Sequence, residues 1–264
     1  MARLCVLCSS SSGNCTYVRY GETLILIDAG ISAKRLEQML AANGLSPANV
    51  CGIFITHEHS DHVGGVRVFA DKYKIPVYAN GATTVAMKLQ NKAPKDASLF
   101  RPLRMGEKVA FDGMEITPFP TSHDAAESCG YRIETGDGRV ASYVTDLGVF
   151  TDEVFEAVKG SHTVVLESNH DPYMLRTGPY PPHLQERILS DRGHLSNDAA
   201  ASAACRLVGT GTGRIILGHL SEQNNTPLLA AQTVENALAA AGYQSGSDYL
   251  LFVAAKEDGR EYIY

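Results

Sequence analysis

The chain of 264 residues lacks the features of a secreted or membrane protein at its start: MARLCVLCSSSSGN carries one Arg and a short apolar run that breaks at Ser and Gly, so neither a signal peptide nor a membrane span is expected. The expected location is the cytoplasm. Basic charge is not in excess, with 23 Lys and Arg against 29 Asp and Glu and a formal net charge of −6. Nothing global therefore draws the chain to nucleic acid or to an anionic membrane. This weighs only mildly against a polyanionic substrate, because bound divalent cations would offset negative charge where a phosphate sits. The six cysteines (Cys5, Cys8, Cys15, Cys51, Cys129, Cys205) are too few, without a secretory signal, for a disulfide framework and read as reduced thiols. Cys5 and Cys8 form a CxxC, but no second CxxC completes a four-thiolate zinc site, and both read as small buried residues of a first strand.

What is present is a core: 44% of the residues are hydrophobic, enough for one large domain or two small ones. Apolar runs bounded by Gly, Asn and Pro open the chain at RLCVLCS, CTYVRY and TLILIDAG and predict an antiparallel meander. SAKRLEQMLAANG then places Leu36, Met39 and Leu40 at helical spacing, with Ser32 as N-cap and Asn43-Gly44 as stop. The pattern next alternates: strand VCGIFIT, a helix from about His62 to Tyr73, strand IPVYAN and a helix through TTVAMKLQ, which calls for a sheet covered by helices. Strands return at KVAFDG, MEITPFP, CGYRIET and RVASYVTD. TDEVFEAVKG (helix), HTVVLES (strand), NDAAASAACRLV (helix), RIILGH (strand) and TPLLAAQTVENALAAAG (helix) follow, with a strand pair in the tail. The two halves have similar order, and no linker, low-complexity tract or heptad run separates them. The expectation is α/β: a single domain over residues 1–264, two packed sheets with helices on both outer faces.

The strongest local signal is Thr56-His57-Glu58-His59-Ser60-Asp61-His62, directly after the strand VCGIFIT. His57 and His59, two apart in extended chain, project to the same side and can grip one ion. Asp61 and His62 lie where the chain turns into a helix and can face a second. The segment is not the HExxH motif of zincins, because Asp61 stands four residues beyond His57. A lone histidine is by default a satisfied structural residue, but so many polar groups at the end of a buried strand cost several kcal/mol unless ligated or hydrogen-bonded.

With these residues the chain resembles the metallo-β-lactamase superfamily, whose HxHxDH signature is met by His57, His59, Asp61 and His62. The resemblance implies a four-layer αββα sandwich and assigns further positions. His123, after MEITPFP, would complete a first three-histidine site. Asp146, after RVASYV, matches the bridging carboxylate, and His219, after RIILG, the last ligand of the second site. Asp28, after TLILI, matches a carboxylate that orients a ligand imidazole from behind. Taken as ordinary residues, Asp28 would be a turn or cap residue and His123, Asp146 and His219 loop residues. The implied cofactors are two divalent ions, Zn²⁺ or Mn²⁺, that share a water, lower its pKa and present hydroxide to an electrophile, with Asp61 able to accept its proton.

Asp61 stands where thiolate-using lactamases have a Cys, so antibiotic hydrolysis is not expected. The remaining pattern is shared by glyoxalase II and phosphodiesterases. The tail after His219 leaves little room for the helical region of glyoxalase-type thioesterases, and the stretch between Asp146 and His219 is too short for an inserted β-CASP domain. Cys8–Cys15, Glu167–Asp171 and Arg192–Asn197 are similar to the YycJ (WalJ, VicX) branch, which implies a stand-alone exonuclease acting on DNA. The alternative is a hydrolase of small esters or thioesters, and a third reading is a binding protein that has lost catalysis; fold-keeping relatives of that kind usually lack ligands that are present here.

Beyond the ligands, Ser10, Ser11 and Asn14 lie in a small-residue loop that can cradle a phosphate or simply turn the chain. His194 and Ser196 precede a helix, where N–H groups and an imidazolium favour an anion, although Ser196 would equally serve as a cap. His194 is thus a candidate for catalysis and substrate contact. His170 either neighbours the site or is a plain loop histidine; His162 and His183 read as structural or surface residues. Arg101, Arg104, Arg176, Arg187 and Arg192 are candidates to line a nucleic-acid groove. Oligomeric state is not legible.

Overall fold

The protein was described from a computed structural model covering residues 1–257 and 260–264. Strands β1 (Arg3–Ser10), β2 (Gly13–Tyr20) and β3 (Thr23–Ile27) form the expected meander, followed by α1 (Ala33–Ala42), β4 (Val50–Phe54), α2 (Ser60–Val63), α3 (Val66–Tyr73), β5 (Val77–Asn80), α4 (Gly81–Leu89) and β6 (Phe100–Leu103). The second half runs β7 (Val109–Phe111), β8 (Met114–Pro120), β9 (Cys129–Thr135), β10 (Val140–Val144), α5 (Asp152–Val158), β11 (Thr163–Glu167), α6 (Pro172–Thr177), α7 (Pro182–Leu189), α8 (Asn197–Val208), β12 (Arg214–Gly218), α9 (Pro227–Ala240), β13 (Leu250–Val253) and β14 (Glu261–Ile263). One sheet has the order β14-β1-β2-β3-β4-β5-β6 and the other β13-β12-β11-β10-β9-β8-β7. Each joins an antiparallel part to three parallel steps, β3 through β6 and β10 through β13.

Alternation along the strands builds three cores. In β1, Leu4 and Val6 face inward and meet Ile25, Ile27 and Phe54 and, from the other sheet, Tyr131, Ile133, Val165 and Ile216. Cys5 and Leu7 point the other way, to Leu36, Met39 and Leu40 of α1 and Phe69 of α3. Across the second sheet, Val164, Leu166, Ile215 and Leu217 pack under Ala204 and Leu207 of α8 and Val234 and Leu238 of α9. Strands buried on both faces need continuous apolar runs, which is why VCGIFIT and RIILGH read as they do. The result is the helix–sheet–sheet–helix sandwich.

Four details depart from the sequence reading. The helix from His62 to Tyr73 is two helices, interrupted at Gly64 and Gly65, where a Cβ at Gly65 would lie 2.0 Å from the Ile31 carbonyl oxygen. A short strand, β6, extends the first sheet. Two short helices, α6 and α7, occupy the stretch from Pro172 to Leu189. The tail strands are no pair: β13 joins β12 in one sheet, while β14 joins β1 in the other, where Glu261 meets Arg3 at 2.5 Å and accepts from the Tyr17 hydroxyl at 2.6 Å.

The strand directions matter most for function. The C-terminal ends of β3, β4, β8, β10, β11 and β12 open on the same edge of the sandwich, where crevices form beyond parallel strands.

Candidate metal centre

Asp28, Asp146 and His219 each follow a strand and adopt the left-handed backbone conformation, with φ of 59°, 59° and 57°. Such conformations cost a non-glycine residue about 1 kcal/mol or more, and here they bend the chain sharply where it leaves the sheet. The loop carrying the histidines is stapled from behind: Ala29 N–H donates to the His62 carbonyl at 2.9 Å and Gly65 N–H to the Ala29 carbonyl at 2.8 Å. Gly30 is required for this approach, since a Cβ there would sit 1.5 Å from the Asp61 carbonyl oxygen.

Four of the cluster's imidazoles, those of His57, His62, His123 and His219, are held at Nδ1. Asp28 accepts from the Thr56 amide (2.8 Å), the Thr56 hydroxyl (2.8 Å) and His62 Nδ1 (2.7 Å). With its proton on Asp28, the Thr56 hydroxyl can accept from His57 Nδ1 at 3.0 Å. His123 Nδ1 donates to the Gly193 carbonyl at 3.0 Å, and His219 Nδ1 to Glu167 at 2.8 Å. This leaves Nε2 of His57, His123 and His219 bare, while Nε2 of His62 lies 3.1 Å from Asn14 Nδ2.

His57, His59 and His123 each bring a donor atom within 4.8 Å of the others; Asp61, His62 and His219 do the same, and Asp146 groups with His57 and His62. Asp146 stands between the two triads, 3.4 Å from His62 Nε2 and 3.8 Å from His123 Nε2. Among the described residues, Nε2 of His57, His123 and His219 and Oδ2 of Asp146 are buried with no hydrogen-bond partner. So many orphaned donor atoms in one place cost several kcal/mol unless a cation meets them. Imidazoles and carboxylates gathered with bare donor atoms fit a divalent metal.

The electrostatics agree. Burial, with His62, His123 and His59 alongside, holds His57 well below the usual histidine range and so neutral. Burial likewise lowers His123, against the pull of Asp146. Burial opposes charge on His219 too, but Asp146, Asp61 and Glu167 outweigh it and lift the group to about 10. Asp61 and Asp146 stay below the carboxylate range because neighbouring histidines overcome their burial. Without a cation the pocket gathers protons in its place.

Glu167 went unassigned in the sequence reading. Fully buried at the end of β11, it accepts from His194 Nδ1 and His219 Nδ1 through Oε1, each at 2.8 Å, and from the Leu147 and Leu195 amides through Oε2, at 3.0 and 3.1 Å. The available signal was a charged residue closing an otherwise apolar strand, TVVLE. His194, partly exposed, borders the same cleft with Nδ1 committed to Glu167.

That cleft, of about 190 Å³, is lined by the ligand candidates His59, Asp61, Asp146 and His219 with His194, by Ser11, Asn169 and Ser221, and by Tyr180, Leu184, Arg187 and Ile188 from the segment around α7. Ser10 is buried and shares a 2.8 Å contact with the Ser12 hydroxyl. Asn14 is fixed by the Ser10 backbone and donates to Asp61 Oδ2 at 3.2 Å. Ser196 caps α8 by accepting from the Ala199 amide. His170 is buried, with neither ring nitrogen hydrogen-bonded among the described residues, and burial pushes it down to about 4; it does not line the cleft. Arg187 does, whereas Arg192 donates to the His123 carbonyl at 3.3 and 3.1 Å and Arg101 to the Ser98 and Phe100 carbonyls.

A family model described as the β-lactamase superfamily domain matches residues 23–220. Exodeoxyribonuclease WalJ of Streptococcus pneumoniae serotype 2 is 40% identical over 248 residues, covering 94% of this chain and 92% of its own. Exodeoxyribonuclease YycJ of Bacillus anthracis is 40% identical over 245 residues, 92% of each chain. Among solved structures, the metallo-β-lactamase fold protein YhfI of Bacillus subtilis matches with a TM-score of 0.74, covering 99% of this chain and 98% of its own at 14% identity, a likeness of fold alone.

Proposed function

Since the chain belongs to the metallo-β-lactamase superfamily and, within it, to the family of WalJ and YycJ, we propose that it is a metal-dependent phosphodiesterase, an exonuclease acting on DNA. The observation that carries this reading is 40% identity across nearly the whole chain to proteins named exodeoxyribonucleases, in a molecule whose buried donor atoms lie together. The protein works as one domain in the cytoplasm, without an inserted β-CASP domain.

His57, His59 and His123 would hold one divalent ion and Asp61, His62 and His219 a second, with Asp146, near histidines of both triads, available to either; zinc or manganese suits this donor set. Such a pair of ions supplies Lewis acidity and lowers the pKa of water. Asp28, acting through His62 and Thr56, fixes which ring nitrogens are free. Asp61, with its side chain 21% exposed in the cleft, is placed to take a proton from an attacking water. His194, aligned by Glu167 and lining the cleft, steadies the scissile phosphate. Ser11 is the member of the small-residue loop that reaches the cleft; Ser10, Asn14 and Ser196 act in support, holding the loop and the start of α8, and His170 backs the turn beside Asn169.

The apolar side chains of Leu184 and Ile188 at the cleft also suit an acyl group, which keeps a small ester or thioester hydrolase as the second reading. Incubating the protein with end-labelled single- and double-stranded DNA and RNA in Mn²⁺ and in Zn²⁺, with a small thioester in parallel, separates the two. Stepwise loss of terminal nucleotides, weakened by added salt, is expected. Turnover of the thioester alone, indifferent to salt, would replace the nuclease reading.

A further inference from the structure

The first hairpin and the last ligand candidate lie far apart in sequence, yet they meet. His219 takes the left-handed conformation, φ 57°, as it leaves β12, and a non-glycine backbone stays there only when its surroundings hold it. Two groups do so. The His219 N–H donates to Ser9 Oγ at 2.7 Å, and the His219 carbonyl accepts from Asn169 Nδ2 at 2.8 Å. Asn169 follows β11 in the same sheet, whereas Ser9 belongs to β1 of the opposite one, so the bond to Ser9 crosses the sandwich. Ser9 is itself fixed: it is 4% exposed, its N–H donates to the Lys256 carbonyl at 3.2 Å, and its partner across the hairpin is Asn14.

Asn14 reaches the other two members of the same triad. Its carboxamide is locked to the Ser10 peptide, with Oδ1 accepting from the Ser10 N–H at 3.1 Å and Nδ2 donating to the Ser10 carbonyl at 2.9 Å. The amide cannot turn over without setting N–H against N–H. A donor is therefore always presented to Asp61 Oδ2, 3.2 Å away, and to His62 Nε2, 3.1 Å away. With His62 Nε2 given to an ion, that N–H is left to Asp61 alone. The first triad has no such ties. Nδ1 of His57 and of His123 is held by Thr56 and Gly193, and none of His57, His59 and His123 is hydrogen-bonded to the hairpin among the described residues.

We infer that the β1–β2 hairpin positions the second metal site and not the first, Ser9 through the His219 backbone and Asn14 through Asp61, so that the two ions are held independently. Ser9 touches no ligand donor atom; it acts through His219, as a positioning residue. Groups that stand behind a metal ligand in this way contribute roughly ten- to a hundred-fold to metal affinity. The inference rests on the two-ion reading and adds to it the residues, outside the ligand set, that make one site separable from the other.

The test is metal retention, measured by elemental analysis and by titration of zinc or manganese against a chromophoric chelator. Wild type should keep two ions. Ser9→Ala should hold one of them as wild type does and the other roughly ten- to a hundred-fold more weakly. Gly218→Ala addresses the same contact from the other side, because its Cβ would sit 3.1 Å from Ser9 Oγ and crowd it off the His219 amide. It should show the same one-sided loss, and it keeps the test decisive where Ser9→Ala fails to fold. His59→Ala breaks the first triad, so adding Ser9→Ala to it should strip the ion that remains, whereas adding Ser9→Ala to His62→Ala should change nothing further. Both ions weakened together, in step with a lower thermal midpoint, would make Ser9 a merely structural residue and overturn the inference. Full retention of both ions in Ser9→Ala and Gly218→Ala would overturn it too, leaving the two-ion reading intact. A wild type that holds a single ion would bring down that reading and the inference with it.

Discussion

Asp28 Oδ2 lies 2.7 Å from His62 Nδ1, both side chains wholly buried, and the same carboxylate receives the Thr56 amide and hydroxyl. Asparagine has the same shape but only one accepting end. With its oxygen on the Thr56 amide, its NH₂ faces His62 Nδ1 and pushes the ring proton to Nε2, the nitrogen that must stay bare. Asp28→Asn is therefore expected to lower metal affinity roughly ten- to a hundred-fold and to recover activity in excess metal. Elemental analysis after dialysis against a chelator checks this; unchanged metal retention would refute the role given to Asp28.

His194 borders the cleft but commits Nδ1 to Glu167 at 2.8 Å. With His219 bound to the same oxygen of Glu167, the ligand cluster stays braced when His194 is removed. His194→Ala should retain the metal and reduce kcat/KM on DNA by a factor on the order of a hundred. If the variant instead loses metal in the same dialysis, His194 belongs among the ligands, as its grouping with Asp146, Glu167 and His219 would allow.

The proton held on His219 in the metal-free protein sets a pH dependence. The group rises from its ordinary 6.5 to about 10 because Asp146, Asp61 and Glu167 outweigh the opposing effect of burial. A pKa raised by folding stabilises fully below the unfolded value and loses that contribution as pH climbs through the folded one. The thermal midpoint of chelator-treated protein should therefore fall between about pH 6.5 and pH 10, while that of the metal-loaded protein, whose cation replaces the proton, should not follow it. Metal uptake in that window should release protons, read as a dependence of calorimetric heat on buffer ionisation enthalpy. A midpoint for the metal-free form that holds level or rises across the window would contradict the sign.

The part of this site legible in the sequence is the part that local geometry controls. His57, His59, Asp61 and His62 come together because a strand end and a helix start fix their relative positions within six residues, and those constraints can be read from spacing. Asp28, His123, Asp146 and His219 share only the property of following apolar strands; their convergence depends on which strands are neighbours, and resemblance supplied that. The cleft residues from Tyr180 to Ile188 escaped because α6 and α7, helices of six and eight residues set among prolines, are too short to show a helical period. β13 and β14 looked like a pair because they adjoin in sequence, yet the edges of two different sheets were open to them, and backbone groups at an open edge are satisfied wherever a strand fits. Glu167 was hidden by its company, a lone charge after four residues that any core would accept.

Glu167 offers the sharpest test of the network behind the cluster, because both of its oxygens are already committed to donors. Oε1 takes two imidazole N–H groups and Oε2 two backbone amides, which an acceptor-only group can satisfy and an amide cannot. In Glu167→Gln, an NH₂ toward Leu147 and Leu195 opposes two amides that cannot move, so the amide should turn its NH₂ to the histidines. His219 must then carry its proton on Nε2, where a ligand lone pair is needed. The expected cost is about 1 to 3 kcal/mol of stability, read by denaturant unfolding of the metal-free protein, together with weakened metal retention. Glu167→Ala removes the clash but leaves four donors facing a void, so it should unfold at still lower denaturant. Were Glu167→Gln as stable as wild type with its metal retained, the carboxylate would not be setting the tautomer of His219, and the histidine would have to be oriented by Asp146 alone.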